Sequence, residues 1–262
     1  MADTPPVRIE ISDGASIPDP KEKRFITAWS ISFIGAVSTL LFLITAMADP
    51  FWDILQFVAD GLIITFQVTI FAIMLSIPIG LLTGLGRLSK DRCVNLIAST
   101  YVEVIRGIPL MAQLFFLYYG LGKVFGVGGV PAAVIAMSVC YGAYMGEVFR
   151  AGISSINHGQ TEAARSLGFS SRQTMRLVIL PQALRTILPP VGNEFIAMLK
   201  DTSLVSVLAL SDLLRRGTEY AGQYFNYFEV FALVSLIYLI ITLLLSKCVS
   251  IMEARLHYYD RH

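Results

Sequence analysis

Apolar runs of membrane-spanning length, separated by short polar connections, set the pattern of this chain. The first, residues 25–48, holds 24 residues without a charge. A bilayer core about 30 Å thick takes about 20 residues of helix, so this run predicts a span. Residues 61–86 add 26 uncharged residues. The next run, residues 107–122, has only 16 and must borrow from the segment before it to cross. Residues 124–146 are uncharged, with a helix start expected at Pro131, a residue suited to a first turn. Residues 186–210 are apolar apart from Glu194, Lys200 and Asp201, and residues 230–246 close the set. The expectation is an all-α membrane protein with about six transmembrane helices.

The connections carry their own pattern. Residues 48–60 have Asp49, Asp53 and Asp60, no basic residue, and Trp52 for an interface. Residues 120–129 read as a glycine-rich turn. Residues 213–229 read as a short surface helix whose Tyr and Phe, from Tyr220 to Phe228, form an interfacial belt.

Composition agrees: 55% of residues are hydrophobic and 15% charged, against about 25% charged in soluble domains. Net charge is +1, so bulk electrostatics suggests no nucleic-acid partner. The positions of the charges matter more. Fifteen Lys and Arg fall in the tail 1–24, the 87–92 connection, the 150–185 connection and the C-terminal end. Only Lys123, Arg215 and Arg216 fall opposite. The inward bias of basic residues therefore puts both termini, including the tail 256–262, and the 150–185 loop in the cytoplasm. The polar, Pro-containing start of the tail is not a cleavable signal peptide.

Other chemistry is sparse. Cys93, Cys140 and Cys248 show neither disulfide nor metal spacing. His158, His257 and His262 read as loop histidines. Gly120-Leu121-Gly122-Lys123 lacks the spacing and hydroxyl of a phosphate-binding loop, so no ATP site is expected in this chain. The halves of the chain show no inverted repeat.

The 150–185 loop is the most structured connection. Thr161 is expected to cap a helix, with Glu162 in its positive first turn and Ala163 and Ala164 as strong helix formers. Gly168 suits a left-handed end, and Ser170 or Ser171 would cap a second helix stopping at Pro181. The small face, with Leu167 and Phe169 beside it, can fit a groove on another protein. On composition alone, an ordinary surface helix tethering two spans is the favoured reading.

The order Glu162-Ala163-Ala164, Gly168, Val178, Leu180-Pro181 resembles the cytoplasmic loop of ABC importer membrane subunits, with Val178 in place of Ile. Tyr101-Val102-Glu103, Arg106-Gly107-Ile108-Pro109-Leu110, residues 147–152, Gly192-Asn193-Glu194 and residues 200–205 resemble the polar amino-acid permease branch. The resemblance covers residues 60–255 and leaves residues 25–48 as an extra N-terminal span on a five-helix core. It implies a translocation subunit rather than an enzyme. It also implies cytoplasmic ATP-binding subunits that carry the ATP and Mg, a second permease subunit, alike or different, and an extracytoplasmic amino-acid-binding protein. The setting would be the bacterial cytoplasmic membrane. Glu162, Ala163, Ala164, Leu167, Gly168, Phe169 and Pro181 would then form the ATPase coupling element.

Charges at membrane depth cost about 2.5–3.5 kcal/mol each on insertion scales, so Glu194, Lys200, Asp201 and Arg106 need a cavity or a partner. Pro189, Pro190 and Gly192 are expected to bend or interrupt their helix, and Asp201-Thr202-Ser203 to break it and cap a new one. Paired opposite charges and a helix end could receive an amino acid. Alternatively, Lys200 and Asp201 lie near the outer headgroups and snorkel or cap. Glu194 is expected to bond Arg185 or a neighbouring span, and Arg106 could simply end the third span. An ion-gradient-driven transporter or channel, and a membrane scaffold or sensor, are the competing classes.

Overall fold

A computed structural model describes residues 27–258. The tail 1–24 and residues 25–26 of the first run lie outside the described residues, as do residues 259–262 of the C-terminal tail. The described residues are helical, without strands. α1 spans Ala28–Ala46, capped by Thr27, whose hydroxyl accepts from the Ser30 amide. The acidic connection that follows is itself a helix, α2 (Ala48–Val58), which buries Phe51, Ile54 and Val58. Its apolar residues recur at three- and four-residue spacing, the signature of one packed face.

α3 (Gly61–Arg87) and α6 (Gly129–Ser154) form the central pair. Their backbones meet closely because glycines on each helix face larger side chains of the other. A Cβ added at Gly80 would lie 2.2 Å from the Met145 Cβ, and one at Gly84 would lie 2.8 Å from the Phe149 Cβ. α6 starts two residues before Pro131, which still falls inside the first turn. The preceding turn is Gly126 to Gly128, so Gly120 and Gly122 are helical.

The short third run is not one helix. α4 (Arg92–Gly107) and α5 (Leu110–Phe125) meet at 109° across Ile108-Pro109. Proline forbids a continuous helix here by removing a donor and disfavouring helical backbone at the residue before it. The freed carbonyls are satisfied by Gln113, whose amide donates to the Ile105 and Ile108 oxygens at 2.6 Å each. The Cys140 thiol donates to the Gln113 Oε1 at 3.1 Å, tying the break to α6.

After the 150–185 loop the chain continues through α9 (Leu180–Asp201), a 3₁₀ segment (Thr202–Leu208), α10 (Leu213–Tyr224) and α11 (Tyr227–Tyr258). Pro189 and Pro190 do not interrupt α9. The helix is held by close packing, since a Cβ at Gly192 would sit 2.7 Å from Val249 Cγ2 of α11. Among the described residues, α1, α3, α6 and α11 are each long and apolar enough to span, and the α4–α5 pair offers a fifth span. The span expected over residues 186–210 falls largely in α9, which has 22 residues but, carrying Arg185, Glu194, Lys200 and Asp201, is not among these apolar helices. α2, α10 and the outer end of α11 form a second apolar cluster around Ile54, Leu213 and Leu233. Arg216 of α10 clamps it to α3 through Asp60.

Candidate functional site

Two regions gather the candidate residues. In the 150–185 loop, α7 (His158–Ser166) is capped by Asn157, whose Oδ1 accepts from the Gly159 amide at 2.8 Å. The expected cap, Thr161, lies inside the helix instead. Asn157 wins because its extended backbone and short amide reach the free N–H groups one turn earlier. The far end closes as expected. Gly168 sits at φ +85°, the Phe169 amide donates to the Ala164 carbonyl at 3.1 Å, and the Gly168 amide donates to that of Arg165 at 3.0 Å. This paired arrangement is the Schellman end, and glycine is favoured there because a Cβ strains the left-handed backbone.

Ser170 then caps the next turn, α8 (Ser171–Gln173), reciprocally with Gln173. The expected second helix does not stop at Pro181. A π segment (Thr174–Ile179) runs directly into α9, with the Leu180 amide donating to the Met175 carbonyl. This wider turn spares the proline ring the carbonyl four residues back, which in an α-helix it would strike. The Gln182 amide donates to the Val178 carbonyl at 3.0 Å and to Gln160 Oε1 at 3.3 Å, linking α9 to α7.

α7 packs on the π segment. Ala164 is buried in that contact, so of the two alanines only Ala163 faces outward. Glu162, Ala163, Leu167 and Gly168 form the exposed edge, with Leu167 78% exposed. Phe169 is half-buried, and Pro181 is exposed at the start of α9. Glu162 lies 3.2 Å from the His158 Nδ1.

The second region lies between α4, α6 and α9. Glu194 and Asp201 are seven residues apart on α9, two turns along one face. The Tyr141 hydroxyl of α6 donates to Asp201 Oδ2 at 2.7 Å. Tyr141 lies beside Tyr144, with ring centroids 5.6 Å apart, and the Arg106 guanidinium sits 5.7 Å from the Tyr144 centroid. Arg106, Tyr144, Tyr141 and Asp201 therefore form one line from α4 across α6 to α9. Glu194 has no hydrogen-bond or ion-pair partner among the described residues, contrary to the expected bond to Arg185 or a neighbouring span.

Lys200 is not paired with Asp201. Neighbouring helix positions point about 100° apart, and Lys200 opens into a different cavity of about 260 Å³ with Ser203, Phe231, Ser235 and Tyr238. Asp201 does not cap a new α-helix either. Its carboxylate is turned to Tyr141, and the chain narrows into the 3₁₀ segment.

Several functional neighbours were not singled out by spacing. Glu147 bonds both Arg87 of α3 and Arg150 on its own helix. The Arg150 partnership was readable at three-residue spacing, whereas Arg87 is 60 residues away. Tyr141 and Tyr144 carry no motif that sets them apart. Among the described residues, no cluster of His, Cys, Asp or Glu could hold a metal ion.

The chain matches the family described as "Binding-protein-dependent transport system inner membrane component" over residues 76–258. It is 39% identical to the L-cystine transport system permease protein TcyB of Bacillus subtilis (strain 168) over 214 residues, covering 80% of this chain and 90% of that one. It is 36% identical to the glutamine transport system permease protein GlnP of Escherichia coli (strain K12), covering 78% and 95%. A solved structure titled "Crystal structure of an amino acid ABC transporter with histidines" superposes with a TM-score of 0.72 at 40% identity, covering 82% of this chain and 98% of its own.

Proposed function

Since this chain belongs to the family of binding-protein-dependent transport system inner membrane components and is the permease subunit of an amino-acid ABC importer, we propose that loop 150–185 is the handle by which a separate cytoplasmic ATPase drives it. The observation that carries this reading is α7, a closed helix offering Glu162, Ala163, Leu167 and Gly168 outward while Ala164 and Gln160 fasten it to the π segment and α9. A push on α7 then reaches α9 without an intervening flexible joint. ATP and Mg reside on the partner, and two such permease chains, alike or different, enclose the pathway. An extracytoplasmic binding protein delivers a polar amino acid to the outer face, and both termini lie in the cytoplasm. ATP drives the switch by binding one access state of the assembly more tightly than the other.

Within the membrane, Glu194 and Asp201, with Arg106 across the line, border the route. An amino acid presents an ammonium to the carboxylates and a carboxylate to the guanidinium. Lys200 opens to a cavity lined by Ser203, Phe231 and Tyr238.

The test joins capture to flux. A Leu167→Cys chain should cross-link to the cognate ATPase, and amino-acid uptake in proteoliposomes should stop with vanadate. Uptake that persists under vanadate, with no cross-link formed, would assign the chain to ion-driven transport. Glu194→Gln and Asp201→Asn should each lower uptake at least tenfold while the ATPase still copurifies.

A further inference from the structure

Residues 150–185 hold five arginines and a single acidic residue, Glu162. Most of these arginines are engaged within the chain. Arg150 bonds Glu147. Arg165 donates to the Phe169 carbonyl at 3.1 Å and lies 3.3 Å from the Ser171 hydroxyl. Arg185 is likewise not free. Arg172 and Arg176 differ: both are exposed, and neither has a hydrogen-bond or ion-pair partner among the described residues. They line one groove of about 410 Å³ with Ser170, Gln173 and Leu177.

Two like charges four residues apart repel, and here nothing inside the chain relieves them. The inward bias of basic residues accounts for their side of the membrane, but not for two of them opening on one concavity. A guanidinium fork takes both oxygens of a carboxylate, which suits this pair to two acidic side chains. Arg172 lies in α8 and Arg176 in the π segment, so both precede α9, which starts at Leu180. With five arginines against one acidic residue in 150–185, the inward bias of basic residues sets the groove at the cytoplasmic end of α9. Arg165, reaching from α7 to Ser171, makes the groove continuous with the exposed edge of α7.

We propose that the Arg172–Arg176 groove is a second docking point for the ATP-binding subunit, receiving a pair of surface carboxylates beside α7 and steering the encounter of the two chains. The inference rests on the reading of loop 150–185 as the ATPase handle. Its distinct content is electrostatic: these two charges govern how fast the subunits meet, whereas the α7 edge governs how they grip.

The experiment measures association and dissociation of the separately purified cognate ATP-binding subunit with the full-length permease assembly in phosphatidylcholine nanodiscs, at low and high salt. For the wild type, association should be fast at low salt and slow steeply as salt rises. Arg172→Gln with Arg176→Gln should lower the low-salt association rate about tenfold and flatten the salt dependence, with dissociation changed by less than about twofold. The double lysine variant should keep most of the rate. A glutamine double variant with the wild-type rate and salt slope overturns this inference and leaves the handle reading intact. A wild-type chain that captures no ATPase overturns both. If the glutamine variant loses only its binding to phosphatidylglycerol vesicles, the groove belongs to lipid and the inference fails.

Discussion

Asp212 shows how one side chain can couple the outer cap of the molecule to pH. It is 1% exposed and caps α10, accepting from the Arg215 amide at 2.9 Å and the Leu214 amide at 3.4 Å. The next amide, that of Leu213, donates to the Thr65 hydroxyl of α3, so this turn is pressed against the central pair. Burial pushes the Asp212 carboxyl up to about 6 from the usual 3.8, against the pull of the two amides. The folded chain thus holds this proton more tightly than the unfolded chain does. Its contribution favours the fold at low pH and is lost as pH rises from about 4 through about 6. Thermal unfolding of the purified protein should therefore rise in temperature between pH 7.5 and pH 5, and Asp212→Asn, which keeps an acceptor for the cap, should remove most of that dependence. An unchanged pH profile in the variant would assign the titration elsewhere. Asp60 acts in a different window. The bonded Arg216 holds its carboxyl below the usual range, so its contribution fades only under stronger acid.

Among the elements, the loop between α6 and α9 shows most directly how local rules shape a moving part. Its caps and its left-handed glycine fix α7 as a short rigid unit, and the π segment joins it to a proline-started helix without a gap. Nothing crowds a Cβ at Gly168, so the effect of a substitution there comes from the backbone alone. Gly168→Ala should cost about 1–2 kcal/mol at this turn, the strain of a left-handed residue bearing a Cβ. Limited proteolysis should then cut residues 167–170 faster in the variant, and uptake per ATP hydrolysed should fall while the complex still assembles. Equal cleavage rates would show that the turn relaxes without strain. The Gly168 end and the Ser170 cap of this loop were legible in the sequence because they are local signals, whereas the cap of α7 fell on Asn157 rather than Thr161. The π segment was not legible, since its extra residue per turn leaves no compositional trace and Pro181 by itself reads as a stop. The α4–α5 break was legible only as a length deficit in the third run. What holds it open, Gln113 between α4 and α6, depends on a contact with Cys140, 27 residues away.

For the molecule as a whole, the tight α3–α6 pair bears α9 and the loop, while α1 stands at the edge. α1 buries only Ala36 and is fastened mainly to α11, where the Trp29 indole donates to the Leu243 carbonyl at 2.9 Å and Lys247 lies 5.1 Å from the Trp29 ring centroid. The family match begins at residue 76, well after this helix. Removing residues 1–46 should leave a chain that still inserts, binds its ATPase and unfolds within about 3 °C of the intact protein, since little packing is lost. A truncated chain that fails to fold would make α1 part of the core.

The long apolar helices α1, α3, α6 and α11, the left-handed end at Gly168 and the cap at Ser170 followed from the sequence itself, because hydrophobic length, capping chemistry and glycine backbone limits act over a few neighbouring residues. The partnerships at membrane depth were decided only by the tertiary structure. Lys200 and Asp201 are adjacent in the chain, yet Lys200 opens to a cavity while Asp201 turns to Tyr141, because a helix turns about 100° per residue. Asp201 meets Tyr141 from 60 residues away because α6 and α9 pack directly on each other, with Ile187 of α9 seated against Gly152 of α6. Closeness along a helix says little about closeness across a bundle, and the polar line is built from the second kind.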